Sequence, residues 1–179
     1  CSFVVAPCPV PVSRVGFFTL YPPLWEAGRG IEAPVPCPAP ARLPAPSPYP
    51  CSVALGAWGL GRVVQRGAAI VERYARVGAD LAQERLAEFT SGALRHYGEG
   101  RDIPGEDGTS KLAENLALGE ITTAQCWHAG QAELNRGNPG AEILLKELVW
   151  REFEYDLLHH TPQIMRRKGK QGWDACTWC

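Results

Sequence analysis

The sequence lacks the extremes of charge and hydrophobicity that mark a protein for a polyanion or a bilayer. Its 179 residues carry 18 Lys and Arg against 19 Asp and Glu, a net charge of −1. Any nucleic-acid binding must therefore come from a local patch. No apolar run approaches the roughly 18 residues of a membrane-spanning helix, and the start has no basic leader. These absences predict a soluble, cytoplasmic protein without a membrane partner, and we expect a monomer.

Methionine is nearly absent, and the cysteines form no recognisable framework. The one methionine is Met165 and the first residue is Cys1, so we expect this chain to be part of a longer translated product. Seven cysteines are an odd number in a chain too long to need a disulfide frame, which predicts free thiols. Cys176 and Cys179 have the CxxC spacing of a redox turn or half a zinc site. No second CxxC or spaced His pair completes four ligands, so no metal site is predicted.

Proline is concentrated at one end of the chain. Of the 16 prolines, 13 lie in residues 1–50, which argues against a regular helical or sheet core there. We therefore divide the chain into a largely irregular, linker-like segment at 1–60 and a helical domain at 61–179. The run from Pro34 to Pro46 favours polyproline II, either as a surface connector or as a ligand for a proline-binding module. The connector is the preferred interpretation.

The chain from 61 to 179 shows helical periodicity and no sustained strand alternation, so the predicted fold class is all-α. From about residue 78, apolar side chains recur at spacings of mostly three to five between charged ones. They are Leu81, Leu86, Phe89 and Leu94. This pattern predicts an amphipathic helix that ends near Gly98 and Gly100.

Two further helices are predicted from capping signals. Thr122 and Gln125 form a capping-box pattern, which opens a helix that reaches about Asn135. Asn138-Pro139 can cap and start the next helix, which continues to Thr161-Pro162.

Two hydroxyls lie at the predicted start of a shorter helix, which begins near Thr109 and ends at Gly119. Unpaired backbone N–H groups at a helix start can hold a phosphate, and Thr109, Ser110 and Lys111 would lie beside it. Capping of the helix by the hydroxyls explains the same pattern. The segment from Tyr97 to Pro104, by itself, is typical of a solvated loop.

A tryptophan stands between charged residues on one predicted helix face. Glu147, Trp150, Arg151 and Glu154 follow one another at spacings of three, one and three, which places them on a common side. Ion pairs such as Glu147 with Arg151 explain the charges. A large aromatic beside them also suits stacking on a flat ligand or base.

Five motifs together resemble the DNA photolyase and cryptochrome family. They are Thr109-Ser-Lys-Leu112, Leu118-Gly-Glu-Ile121, Lys146-Glu-Leu-Val-Trp-Arg-Glu-Phe153, Leu157-Leu-His-His-Thr-Pro162 and Gly172-Trp-Asp-Ala-Cys-Thr-Trp178. Their order and spacing are similar to the helical flavin domain of the class I bacterial type. The resemblance covers roughly residues 16 to 179 and is firmest from about Gly78. It implies that 61–179 is a partial helical FAD-binding domain, truncated at its C-terminus.

The resemblance implies a cofactor site, a DNA site and an electron-transfer residue. FAD would be held by Tyr97, Thr109, Ser110, Lys111, Leu112, Ala113 and Leu144. Damaged DNA would be met by Arg101, Glu147, Trp150 and Arg151, with Trp150 stacking on a flipped-out pyrimidine dimer. Glu147 would hydrogen-bond the dimer, and Trp178 would be the outer tryptophan of the chain that photoreduces the flavin. The reaction implied is light-driven splitting of cyclobutane pyrimidine dimers.

Several departures from the family pattern set expectations for this chain. Ala113 replaces a serine near the cofactor, and Leu144 stands where many members carry an aromatic. The sequence stops at Cys179, before the second half of the family's flavin pocket, so we expect the isolated chain to be inactive and to bind FAD poorly. Two alternatives stay open: a cryptochrome-like photoreceptor without repair, and a helical remnant or thiol protein using Cys176 and Cys179. Trp150 and Glu147 favour repair.

Overall fold

The computed structural model describes residues 21–28, 32–45, 47–48, 50–60 and 65–167. These residues form helices and no strand, which confirms the predicted all-α class. The helices are α1 (Tyr21–Gly28), α2 (Gln65–Val71), α3 (Ala79–Ser91), α4 (Tyr97–Gly100), α5 (Ala113–Leu118), α6 (Thr123–Asn135) and α7 (Ala141–His160). Short 3-10 turns occur at Leu55–Trp58, Ala93–His96 and Pro162–Met165.

Helix α7 is the centre of the fold, because its side chains enter three separate apolar clusters. Val149 and Phe153 pack with residues of α1 and α6, and Leu148 packs with residues of α3 and α6. Leu144 packs with Phe89 of α3. A 20-residue helix that is buried on several sides cannot be moved without disturbing its neighbours, so the backbone positions of its exposed residues are fixed.

The capping box predicted α6 correctly. The Gln125 N–H donates to Thr122 Oγ1 at 3.2 Å, and the Thr122 N–H donates to Gln125 Oε1 at 2.8 Å. Helix α6 then ends at Asn135, where the sequence pattern placed its end. Gly130 in the middle of α6 lets α7 approach closely, since an added Cβ would lie 3.0 Å from a Leu145 methyl. The two helices therefore pack closely at this point.

Two predicted boundaries are wrong. The helix expected from residue 78 to about 100 is broken at Gly92, after which the chain forms a 3-10 turn and the short α4. In addition, Leu81 is 39% exposed, and the buried stripe of α3 includes Ala82 and Arg85 instead. Helix α7 begins at Ala141, so Asn138 acts one turn earlier by accepting from the Gly140 N–H at 3.2 Å.

Helix α1 is an ordered element inside the proline-rich segment. Pro22 and Pro23 lie in its first turn, where the missing N–H groups would have had no intrahelical partner. Leu24 is 1% exposed and packs against α7. The described residues from 32 to 54 have no helix or strand. A count of prolines therefore missed a helix, while the boundary near residue 60 stays a prediction.

The cysteines of the described residues are unpaired. Cys37 and Cys51 are exposed and Cys126 is buried, all as free thiols. Burial raises the pKa of Cys126 to about 12, so its thiol is unreactive at neutral pH. Cys176 and Cys179 lie outside the described residues. No helix in the described part of the chain is both long and apolar enough to pass through a membrane.

Candidate functional site

A pocket of about 800 Å³ opens between α3 and the loop that precedes α5. The hydroxyl residues Thr109 and Ser110 line it. Four cationic side chains also line it, from Arg73, Arg76, Arg85 and Lys111, together with the carboxylates of Glu88, Asp107 and Glu114. Hydroxyls and cations around one cavity are the donor set that an anionic group such as a phosphate requires.

The conformation of the loop that lines the pocket differs from the one that the sequence predicted. Helix α5 begins at Ala113, not near Thr109, and neither hydroxyl caps it. The predicted helix start near Thr109 is therefore wrong, and the two hydroxyls precede the helix instead of lying in its first turn. Lys111 adopts φ +52°, a left-handed conformation that keeps Thr109 and Ser110 out of the helix. Both residues belong to an irregular turn on the pocket wall.

Arg85 holds this turn from inside the protein. Its side chain is buried, and its Nη1 donates to the Lys111 carbonyl at 2.6 Å, to Glu114 at 2.7 Å and to Asn115 at 2.9 Å. Its Nη2 donates to the Tyr74 carbonyl at 2.9 Å. Pairing with Arg85 is the main cause that lowers the pKa of Glu114. The guanidinium thus ties α3, the turn and α5 together.

Arg85 and Asn115 are buried residues that support the site and that the sequence analysis missed. Asn115 is fully buried, and its amide donates to the Arg76 carbonyl and to Glu120, each at 2.7 Å. A usable signal existed for the arginine. Arg85 is three residues after Ala82 and four before Phe89, which are both buried. A charged residue in register with an apolar stripe requires buried partners.

Gly108 has no side chain, which lets the turn pack closely against the backbone of α4. A Cβ at this position would lie 2.5 Å from both the carbonyl carbon and the oxygen of Gly100. No side chain fits there without moving the backbone. Because Gly108 directly precedes Thr109, such a movement would displace the hydroxyls from the pocket wall.

We expect Gly108→Ala to lower the free energy of unfolding by about 1–3 kcal/mol, since the new methyl group meets backbone rather than a flexible side chain. Gly105→Ala is the matched control, because nothing lies within 4 Å of a Cβ there. Chemical denaturation of both variants measures the difference. Equal losses of unfolding free energy in the two variants would show that a side chain at Gly108 meets no close backbone contact.

A second group of predicted site residues gathers where α4 meets α7. Arg101, which directly follows α4, forms an ion pair with Glu147 of α7, and its guanidinium lies 5.7 Å from the centre of the Tyr97 ring. Burial and the Glu147 carboxylate raise the pKa of Tyr97. The Tyr97 ring also packs edge-on against Phe89, which lines the pocket. Tyr97 therefore links the two groups.

Trp150 is exposed on one side and stacked on the other. It is 41% exposed, and the Tyr21 ring lies parallel to it with 3.9 Å between centroids and 4° between planes. The buried Phe153 meets the indole edge-on at 5.6 Å. An indole fixed in this way offers an open aromatic surface beside the Arg101–Glu147 pair.

The other predicted site residues have structural partners. Arg151 donates to Thr123 Oγ1 at 2.9 Å and lies over the Tyr155 ring, so its side chain is turned along the protein surface. Leu112 and Leu144 are both buried in apolar clusters, while Ala113 is exposed at the start of α5. Trp178, the predicted electron-transfer residue, lies outside the described residues.

Two relatives of this chain carry the same name. The chain is 37% identical over 166 residues to the deoxyribodipyrimidine photo-lyase of Agrobacterium fabrum, covering 91% of this chain and 34% of that protein. The photo-lyase of Escherichia coli is 34% identical over 104 residues, which are 56% of this chain and 21% of the relative. No protein-family model matches the chain.

A solved structure agrees with these relatives. It is a bacterial class III photolyase from Agrobacterium tumefaciens, which superposes with a TM-score of 0.88 at 33% identity over 99% of this chain and 37% of the other. This chain therefore spans about a third of the length of its Agrobacterium relatives. Both the all-helical fold and the motif resemblance are confirmed by this match.

Proposed function

Because the chain is a homologue of a segment of the DNA photolyase and cryptochrome family, we propose that it is part of a light-driven, FAD-dependent lyase that splits cyclobutane pyrimidine dimers. The observation that carries the proposal is the exposed Trp150 surface beside the Arg101–Glu147 pair. The class I type follows from the sequence motifs, whereas the matching structure is named class III. The class I assignment is therefore part of the proposal.

The residues lining the pocket fit the phosphates of a dinucleotide. Thr109 and Ser110 present hydroxyl donors, and Lys111 and the arginines supply positive charge. Charge-assisted donors of this kind are the strong ligands of phosphate groups. When bound, the flavin supplies blue-light-driven electron transfer to the dimer, chemistry that no side chain of this chain provides.

Three of the four cations in the pocket are already paired. Arg76 binds Glu88, Arg85 binds Glu114 and Lys111 binds Asp107, each at 2.7 Å. An anion must therefore displace a carboxylate from a cation, and the exposed ion pairs contribute little stability in water. Arg85 stays committed to the turn, whereas exchange of the exposed Arg76–Glu88 and Lys111–Asp107 pairs for phosphate would cost little.

The Arg101–Glu147 pair sets the electrostatics at the Trp150 surface. Glu147 can accept hydrogen bonds from a base, and its hydrogen bond with Arg101 raises the pKa of the guanidinium, which stays charged. Arg101 keeps 30% of its side chain exposed. It can therefore contact a DNA phosphate while holding Glu147 against the base.

A segment graft tests the cofactor part of the proposal. Residues 65–167 are placed in the Agrobacterium photo-lyase in place of the matching segment, and bound flavin is followed by absorbance as FAD is titrated. We expect the hybrid to bind FAD and Thr109→Val to raise its dissociation constant about tenfold to a hundredfold, because a hydrogen bond to a charged group is lost. The free 179-residue chain should stay nearly colourless.

Thr90→Val is the matched control for this experiment, since Thr90 lies on α3 and its hydroxyl donates to the Ala87 carbonyl of the same helix. Its affinity for FAD should equal that of the unmodified hybrid. Stoichiometric flavin in a hybrid whose affinity is unchanged by Thr109→Val would exclude the hydroxyl from the cofactor site.

A further inference from the structure

The contact between Tyr21 and Trp150 joins two segments that are far apart in sequence. Tyr21 is the first residue of α1, and its hydroxyl donates to the Lys146 carbonyl on α7 at 3.0 Å. The ring is thereby held at two points, through the stack and through the hydrogen bond. Leu24, one turn later in α1, is buried against Val149 and Phe153.

The stack leaves the indole open on one side only. Tyr21 covers one face in an almost parallel arrangement, and Phe153 occupies an edge of both rings. Trp150 nevertheless remains 41% exposed. Since Tyr21 occupies one face, the opposite face of the indole is the one on which a base could stack.

We propose that Tyr21 is a positioning residue that holds the Trp150 indole as a one-sided stacking platform for a flipped-out pyrimidine dimer. The proposal rests on the function proposed above. Its chemical logic is preorganisation: an exposed tryptophan would otherwise lose rotamer freedom when a base stacks on it. With Tyr21 behind it, the indole is already in place.

Electrostatics on this surface agree with the assignment. Burial and the Glu147 carboxylate raise the pKa of Tyr21 to about 12, so the phenol stays protonated at neutral pH. A neutral Tyr21 keeps donating to Lys146 and places no additional negative charge beside DNA. The platform thus presents an aromatic face next to a carboxylate whose charge is balanced by Arg101.

The test measures the affinity of the 179-residue chain for two duplex oligonucleotides of one sequence, one of which contains a single cyclobutane thymine dimer. The readout is the ratio of the two dissociation constants at low salt. Tyr21→Leu removes the ring and Tyr21→Phe removes only the hydroxyl. We expect Tyr21→Leu to reduce the preference for the dimer about threefold to tenfold, the range that aromatic pair energies imply. Tyr21→Phe should keep it within about twofold, since the stack survives.

The other outcomes distinguish failure of the Tyr21 positioning role from failure of the proposed function. An unchanged preference in Tyr21→Leu, or an equal loss of affinity for both duplexes, would overturn the proposal and leave Tyr21 as a docking contact of α1. A stronger preference would overturn it too, because Tyr21 would then occupy the face that the base needs. If the unmodified chain shows no preference for the dimer, the proposed function itself fails. If Trp150→Ala abolishes the preference and Tyr21→Leu does not, only the positioning role fails.

Discussion

Replacing Trp150 by alanine is expected to lower the affinity of the chain for dimer-containing DNA roughly ten- to a hundred-fold and to leave affinity for undamaged DNA nearly unchanged. The reason is that the substitution removes a stacking surface worth about 1–3 kcal/mol per base. Undamaged duplex keeps its bases stacked and is held through phosphates, which do not contact the indole. Fluorescence anisotropy with both duplexes measures the two affinities.

The competing explanation is that Trp150 only packs against its neighbours. Its stack on Tyr21 and its edge contact with Phe153 make a packing role real, and a core tryptophan changed to alanine costs about 3–5 kcal/mol. Because Trp150 is 41% exposed, we expect a smaller loss of stability. A large fall in melting temperature with an unchanged ratio of affinities would exclude lesion stacking.

Trp58→Ala is the matched control, since it removes the same side chain from an exposed turn where the residue is 62% exposed. It should change neither the ratio nor the melting temperature. Trp150→Phe should retain part of the preference, because a smaller aromatic face remains.

Arg85→Met is expected to lower the free energy of unfolding by about 3 kcal/mol. The substitution keeps the aliphatic stem but leaves the Lys111 carbonyl and the buried Asn115 oxygen without their donor. The Glu114 partner is 43% exposed, so water replaces that contact and it contributes little. Urea denaturation followed by circular dichroism measures the change.

Arg95→Met provides the comparison, because Arg95 is exposed on the 3-10 turn that follows α3. We expect its effect to stay within about 0.5 kcal/mol. Similar stabilities for the two variants would mean that the Arg85 hydrogen bonds do not hold the pocket turn.

Local sequence patterns predicted the elements whose determinants are local. The capping box at Thr122 and Gln125 gave the start of α6, and Gly119, with φ +74°, ends α5 where the pattern placed its end. The start of α5 was wrong because Lys111 adopts a left-handed conformation that an Arg85 hydrogen bond supports from a different helix. No local pattern encodes that support.

The site depended on contacts between distant residues, which explains what the sequence could and could not show. The motif resemblance implied that Glu147 and Trp150 contact the dimer, and their spacing placed them on one helix. Neither signal could show that Tyr21 stacks on Trp150. The prolines beside Tyr21 argued against a helix, and α1 is stabilised by its packing on α7, which no local pattern shows. Leu144, which the resemblance places beside the flavin, is buried in the core with Phe89.

The most direct test of the central claim is the ratio of dissociation constants of the unmodified chain for undamaged and dimer-containing duplex. If Trp150 is a lesion-stacking surface, the dimer-containing duplex should bind at least tenfold more tightly, and the difference should persist as salt weakens both affinities. A cryptochrome-like photoreceptor without repair or a helical remnant predicts no preference. Equal affinities across the salt series would contradict the assignment of this chain to dimer recognition.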